Sequence, residues 1–67
     1  MEFLKVARAK LKLRQEDFAE MLGVQRVAYT RYETGTRPVP AEILFRARKI
    51  AKISPAKFVK MLEEELL

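Results

Sequence analysis

QEDFAEMLGVQRVAYTRYE, residues Gln15 to Glu33, decides the fold of this chain. With a helix starting near Gln15, Phe18, Ala19 and Leu22 fall on one stripe at i, i+1 and i+4, while Glu16, Asp17 and Glu20 face outward. Two acidic residues in the first turn suit the positive end of the helix dipole. Gly23 follows Leu22 where the chain must leave the helix in a left-handed conformation, which glycine adopts at little cost. Val24 closes the turn and a second helix starts near Gln25, with Ala28, Tyr29 and Tyr32 as its inward stripe. Ala19 lies where the two helices cross, and a larger side chain there would push them apart. Gln25, Arg26, Val27, Thr30 and Arg31 are left with no core to face.

Each piece has a bland reading, since glycine after a helix is ordinarily only a cap. The combination is sharper, because the helix after Gly23 is polar and basic on its free face. Two short helices joined in this way form a helix-turn-helix, whose second helix enters the DNA major groove. The expected partner is therefore double-stranded DNA, read by Gln25, Arg26, Val27, Thr30 and Arg31.

Working outward, 67 residues make one domain (1–67), near the lower size limit for a self-sufficient core. Cysteine and histidine are absent, which removes a disulfide framework, a cysteine-based zinc site and the usual proton shuttle. With Ser54 the single serine and Asp17 the single aspartate, no nucleophile–base constellation can be assembled. The expectation is a non-enzyme with no metal, no cofactor and no evident small-molecule ligand. No apolar run approaches membrane-spanning length, and the N-terminus reads as an amphipathic helix, so a cytoplasmic, nucleoid-associated protein with no membrane contact is expected. The net charge is +5, but Glu63, Glu64 and Glu65 stand together near the C-terminal end. Residues 1–60 carry 14 basic against 6 acidic side chains, a surplus of +8 that attracts polyanions.

The full pattern is all-α, with five helices and no strands. The first covers 2–11, with Phe3, Leu4, Ala7 and Leu11 inside. The helix-turn-helix follows, as helices at about 15–22 and 25–33. Thr34 to Pro40 is a loop marked by Gly35, Pro38 and Pro40. A fourth helix, about 41–52, is expected to bury Leu44, Ala47, Ile50 and Ala51 and to show Arg46, Arg48, Lys49 and Lys52 to solvent. Ser54-Pro55 restarts the chain, serine as N-cap and proline at the first helical position of a fifth helix that runs to about 65. That helix has more apolar residues than one core stripe needs. Phe58 and Leu62 are placed inward, and Val59, Met61, Leu62, Leu66 and Leu67 (within 55–67) are the expected dimer interface.

With these residues in place, the chain resembles the lambda-repressor-like (Cro/CI or Xre type) DNA-binding domains over residues 2–53. The resemblance is carried by Gln15, Ala19, Gly23-Val24, Tyr32-Glu33 and Gly35 at the family's spacing. It implies a compact five-helix fold that binds operator DNA as a homodimer. It also implies that Gln15 bonds a backbone phosphate, that Arg26, Val27, Thr30 and Arg31 face the bases with Gln25 at the edge, and that Arg8 and Glu33 form an internal ion pair. There are three departures. Arg14 replaces the usual serine or threonine cap and gains the chance of a phosphate contact. Tyr29 stands where the family has Ile or Val, and its hydroxyl needs a partner. The loop at 34–40 has its own length, with Thr34, Thr36 and Arg37 as phosphate ligands by position.

The expected function is a sequence-specific transcriptional regulator, most simply a repressor on a palindromic operator. An antitoxin or restriction-controller regulator shares these features. A protein–protein adaptor on the same fold would instead present an acidic or apolar third helix.

Overall fold

All 67 residues are described in a computed structural model, which contains five helices and no strands: α1 (Glu2–Leu11), α2 (Gln15–Leu22), α3 (Arg26–Thr34), α4 (Ala41–Ala51) and α5 (Pro55–Leu66). The all-α, five-helix class read from the pattern is the one observed. The third helix begins one residue later than the pattern suggested, and Gln25 occupies its N-cap with extended backbone.

The first four helices all end on a left-handed residue: Lys12 (φ 56°), Gly23 (φ 76°), Gly35 (φ 81°) and Lys52 (φ 56°). At each end two backbone N–H groups fold back over the last turn. After α2, Gly23 donates to the Glu20 carbonyl at 3.1 Å and Val24 to the Ala19 carbonyl at 3.0 Å. Such paired bonds satisfy carbonyls that the helix leaves free. The next residue is apolar after α1, α2 and α4. Ile53 is buried, and Leu13 and Val24 pack against the core. These three caps thus turn the chain and plug the core with the residue that follows.

The ends of α1 and α4 use one further device. Arg8 donates to the Leu13 carbonyl at 3.1 Å, and Arg48 donates to the Ile53 carbonyl at 2.9 Å. In both, an arginine clasps the carbonyl that lies just beyond the left-handed lysine. Ser54 caps α5 by accepting from the Lys57 N–H at 3.2 Å, with Pro55 at the first turn. Arg14 provides α2 with no side-chain cap.

The core is built from Phe3, Leu4 and Ala7 of α1, Phe18, Ala19 and Leu22 of α2, and Tyr29 and Tyr32 of α3. Phe58 of α5 meets Phe3 edge-on at 5.1 Å, and Phe18 meets Tyr29 edge-on at 5.6 Å, arrangements that suit the aromatic quadrupole. In α4 the buried stripe is Ile43, Ala47 and Ala51, while Leu44 and Ile50 are only half-buried. The expected register was one position off at its start. α4 packs mainly on α1 and also on α2, and the i, i+4, i+8 row faces that junction with alanines that allow close approach. Leu11 is likewise half-buried rather than inside.

Candidate nucleic-acid interface

Four residues of α3 come together on its outer side. Arg26, Val27, Thr30 and Arg31 line a shallow surface depression of about 310 Å³. Val27 is 60% exposed, an apolar side chain held out in water by its place on the helix. Arg26 and Arg31 are exposed as well, and Thr30 is half-buried at the floor. Gln25 is exposed at the N-terminal edge of the same face. The spacing 26, 27, 30, 31 is one helical face, and its opposite, Ala28, Tyr29 and Tyr32, lies against α1 and α2.

The sole acid of α3 is Glu33, which is 3% exposed. Its carboxylate takes a two-pronged bond from Arg8, Nε to Oε2 at 2.7 Å and Nη2 to Oε1 at 3.2 Å. Gln15 adds a third donor, Nε2 to Oε1 at 3.1 Å. Burial alone would push this carboxyl up; the hydrogen bonds from Arg8 and Gln15, with the Arg8 charge, outweigh it and hold it below the ordinary range. The Arg8 guanidinium is raised in return, chiefly through its bond to Glu33. The exposed face of α3 is therefore positive, with no free carboxylate on the helix.

Tyr29 is fully buried, and its hydroxyl donates to the Leu4 carbonyl across a long 3.5 Å. Burial, and then the neighbouring Glu33, push the phenol above its ordinary value. The partner it needs is thus protein, not DNA.

The residues assigned to phosphate frame this face. Arg14, exposed at the start of α2, bonds Asp17 at 3.1 Å and Glu16 at 3.1 Å. Glu16 also lies 3.9 Å from Arg26. These exposed pairs are screened by solvent and exchange readily for another anion. Gln15 is half-buried and already has partners at both ends of its amide, since Thr30 donates to its Oε1 at 3.0 Å. One Nε2 hydrogen is left over for a phosphate. Thr34 and Thr36 share a hydrogen bond at 3.1 Å, and Thr34 also donates to the Arg31 carbonyl at 3.2 Å. Arg37 lies over the Tyr32 ring, 5.6 Å from its centre. That stacking steadies a cation beside the end of α3.

Sequence reasoning passed over three residues of consequence. Arg46, expected only to face solvent, donates to the Leu22 carbonyl and braces the end of α2 beside Gly23. Glu65 places its carboxylate on the first turn of α1, accepting from Phe3 N–H at 3.0 Å and from Glu2 N–H. Phe45 is 59% exposed and rests at 5.4 Å on Phe58. Arg46 and Glu65 pair across long sequence separations that no local spacing announces. Phe45 carried a local signal, a large aromatic on a helix otherwise basic on its outer side.

The residues assigned to a dimer interface are spread along α5 and line several depressions. Val59 and Leu62 join Phe45, Pro55 and Phe58 in an apolar groove of about 480 Å³ between α4 and α5, with Arg48 and Glu63 also lining it. Met61 lies beside Phe3 and Glu2, and Leu66 lies beside Tyr32 and Val39. Leu67 is fully exposed at the end of the chain.

No helix is long and apolar enough to cross a membrane. A family model described as helix-turn-helix matches residues 4–58. An uncharacterized HTH-type transcriptional regulator of Bacillus subtilis, YqaE, is 40% identical over 53 residues, covering 79% of this chain and 46% of that protein. The chain thus spans about half the length of this curated relative. No solved structure matches it. With the match running from α1 into α5 and the glycine turn between α2 and α3 formed as the motif requires, the chain belongs to the lambda-repressor-like helix-turn-helix family.

Proposed function

We propose that the chain binds double-stranded DNA by laying α3 in the major groove, and that it is a sequence-specific transcriptional regulator, most simply a repressor. One observation carries the reading: the outer face of α3 presents Arg26, Val27, Thr30 and Arg31 while Glu33, its one acid, is neutralised inside by Arg8. Arg26 and Arg31 suit bidentate bonds to guanine, and Val27 suits a thymine methyl. Arg14, Gln15, Thr34, Thr36 and Arg37 supply phosphate contacts, which fix register and most of the salt-sensitive affinity. That α3 exposes no acid of its own speaks against the protein–protein adaptor. The relative's name, a transcriptional regulator, agrees with this reading.

One recognition helix reads few bases, so a homodimer on a palindromic operator completes the proposal. Its surface is the α4–α5 groove of Phe45, Val59 and Leu62. Under a two-fold axis Arg48 of one copy can face Glu63 of the other, which makes the groove complementary to itself. Selection from a randomised duplex library at near-physiological salt tests the whole. A two-fold symmetric site with half-sites about one helical turn apart is expected. Binding without enrichment would reduce the interaction to charge.

A further inference from the structure

We infer that Thr30 acts on DNA as a hydrogen-bond acceptor only, because Glu33 and Gln15 together fix the direction of its hydroxyl proton. The inference rests on the DNA-binding reading above and adds the class of base that this position selects.

The chain of reasoning starts at the buried carboxylate. Glu33, held ionised between the two nitrogens of Arg8, has only lone pairs to offer. The Gln15 group 3.1 Å from it must therefore be the NH₂. That choice turns the amide oxygen of Gln15 the other way, to 3.0 Å from the Thr30 hydroxyl. An amide oxygen also has no proton to give, so Thr30 must donate. Its single proton is used inward, and lone pairs remain for the depression lined by Arg26, Val27 and Arg31.

A free threonine hydroxyl rotates and serves either kind of base edge. This one does not. Adenine and cytosine carry amino donors in the major groove at N6 and N4, whereas guanine and thymine carry keto acceptors at O6 and O4. Thr30 matches the amino bases and meets the keto bases lone pair to lone pair. A desolvated polar group left unmatched costs enough to give a preference on the order of tenfold at one operator position. The two arginines on the same face are donors and favour guanine, so the relay sets a fixed acceptor beside two donors.

Library selection on four proteins tests this: wild type, Thr30→Ser, Thr30→Val and Gln15→Met. Wild type and Thr30→Ser should enrich adenine or cytosine at one position of each half-site. Thr30→Val should lose that preference alone. Gln15→Met frees the hydroxyl proton and removes a phosphate contact, so binding should weaken for every sequence and keto bases should become acceptable at that position. A keto base at the Thr30-dependent position, or an unchanged amino preference in Gln15→Met, would overturn the relay while leaving the DNA-binding reading intact. Failure of wild type to enrich any site would overturn both. In the free protein, NMR should show a slowly exchanging Thr30 hydroxyl proton close to the Gln15 side chain. A freely exchanging one would overturn the relay even if Gln15→Met failed to fold.

Discussion

Glu33 is where the stability of the fold and the proposed recognition face meet in a single side chain. It joins α1, α2 and α3 through Arg8 and Gln15, so α3 is held to the rest of the domain by a charge that has left water. Breaking such a pair from one side is far costlier than never forming it, because the remaining charge stays buried. Arg8 keeps 27% of its side-chain exposure, which lets water relieve part of the loss. Arg8→Met is expected to destabilise the domain by about 2–4 kcal/mol, measured by urea unfolding. For 67 residues the total stability is about 3–10 kcal/mol, so this variant approaches the unfolding limit. A loss within experimental error would mean that the pair is incidental. The acid dependence follows from the same group. Its carboxyl is lower in the folded chain than the ordinary 4.5. The stabilisation is therefore complete above that value and is lost as the pH falls through the folded one. Glu33→Gln should flatten the unfolding profile in that acid window and nowhere else.

At the scale of the element, helix ends matter more than helix interiors. Gly23 and the Ser54-Pro55 pair were legible because the residue types themselves encode the backbone: glycine for positive φ, serine for an N-cap, proline for a first turn. Lys12 and Lys52 adopt the same left-handed conformation without advertising it, so the ends of α1 and α4 could be placed only by pattern. A lysine at φ 56° is under strain that glycine would not feel. Lys52→Gly should stabilise the domain by about 0.5–1 kcal/mol, the relief being partly offset by the freedom glycine gains when unfolded. A higher thermal midpoint checks this; a lower one would mean that the lysine side chain contributes more than its backbone costs. The register of α4 was misread for a related reason. Ile43 and Leu44 are neighbours of equal hydrophobicity, and only the position of α1 decides which one is buried. The outward positions of α3 were legible, because they were defined by what the core left unused. The Gln15–Thr30 bond within it was not, since it depends on how far apart two helices stand.

For the whole molecule, of 27 × 23 × 18 Å, the question is what the surplus apolar surface of α5 does for the proposed dimer. The surplus apolar surface of α5 was legible from its count of leucines. The groove that Phe45 forms with Val59 and Leu62 was not, because it depends on how α4 packs beside α5. Val59→Glu puts a charge into the α4–α5 groove, on an exposed position where the fold should tolerate it. Sedimentation equilibrium should then find a monomer, and operator binding should weaken although the DNA face is untouched. A variant that stays dimeric would move the interface elsewhere.

The most direct test of α3 as a DNA reader compares Arg26→Ala and Arg37→Ala on a selected operator and its single-base variants, across a salt series. Arg26→Ala should relax preference at one base position, at a cost of about 1–3 kcal/mol. Arg37→Ala should weaken every sequence alike and reduce the salt slope by about one. If both variants kept the affinity and base preference of the wild type, α3 and its flank would not be the surface that meets DNA.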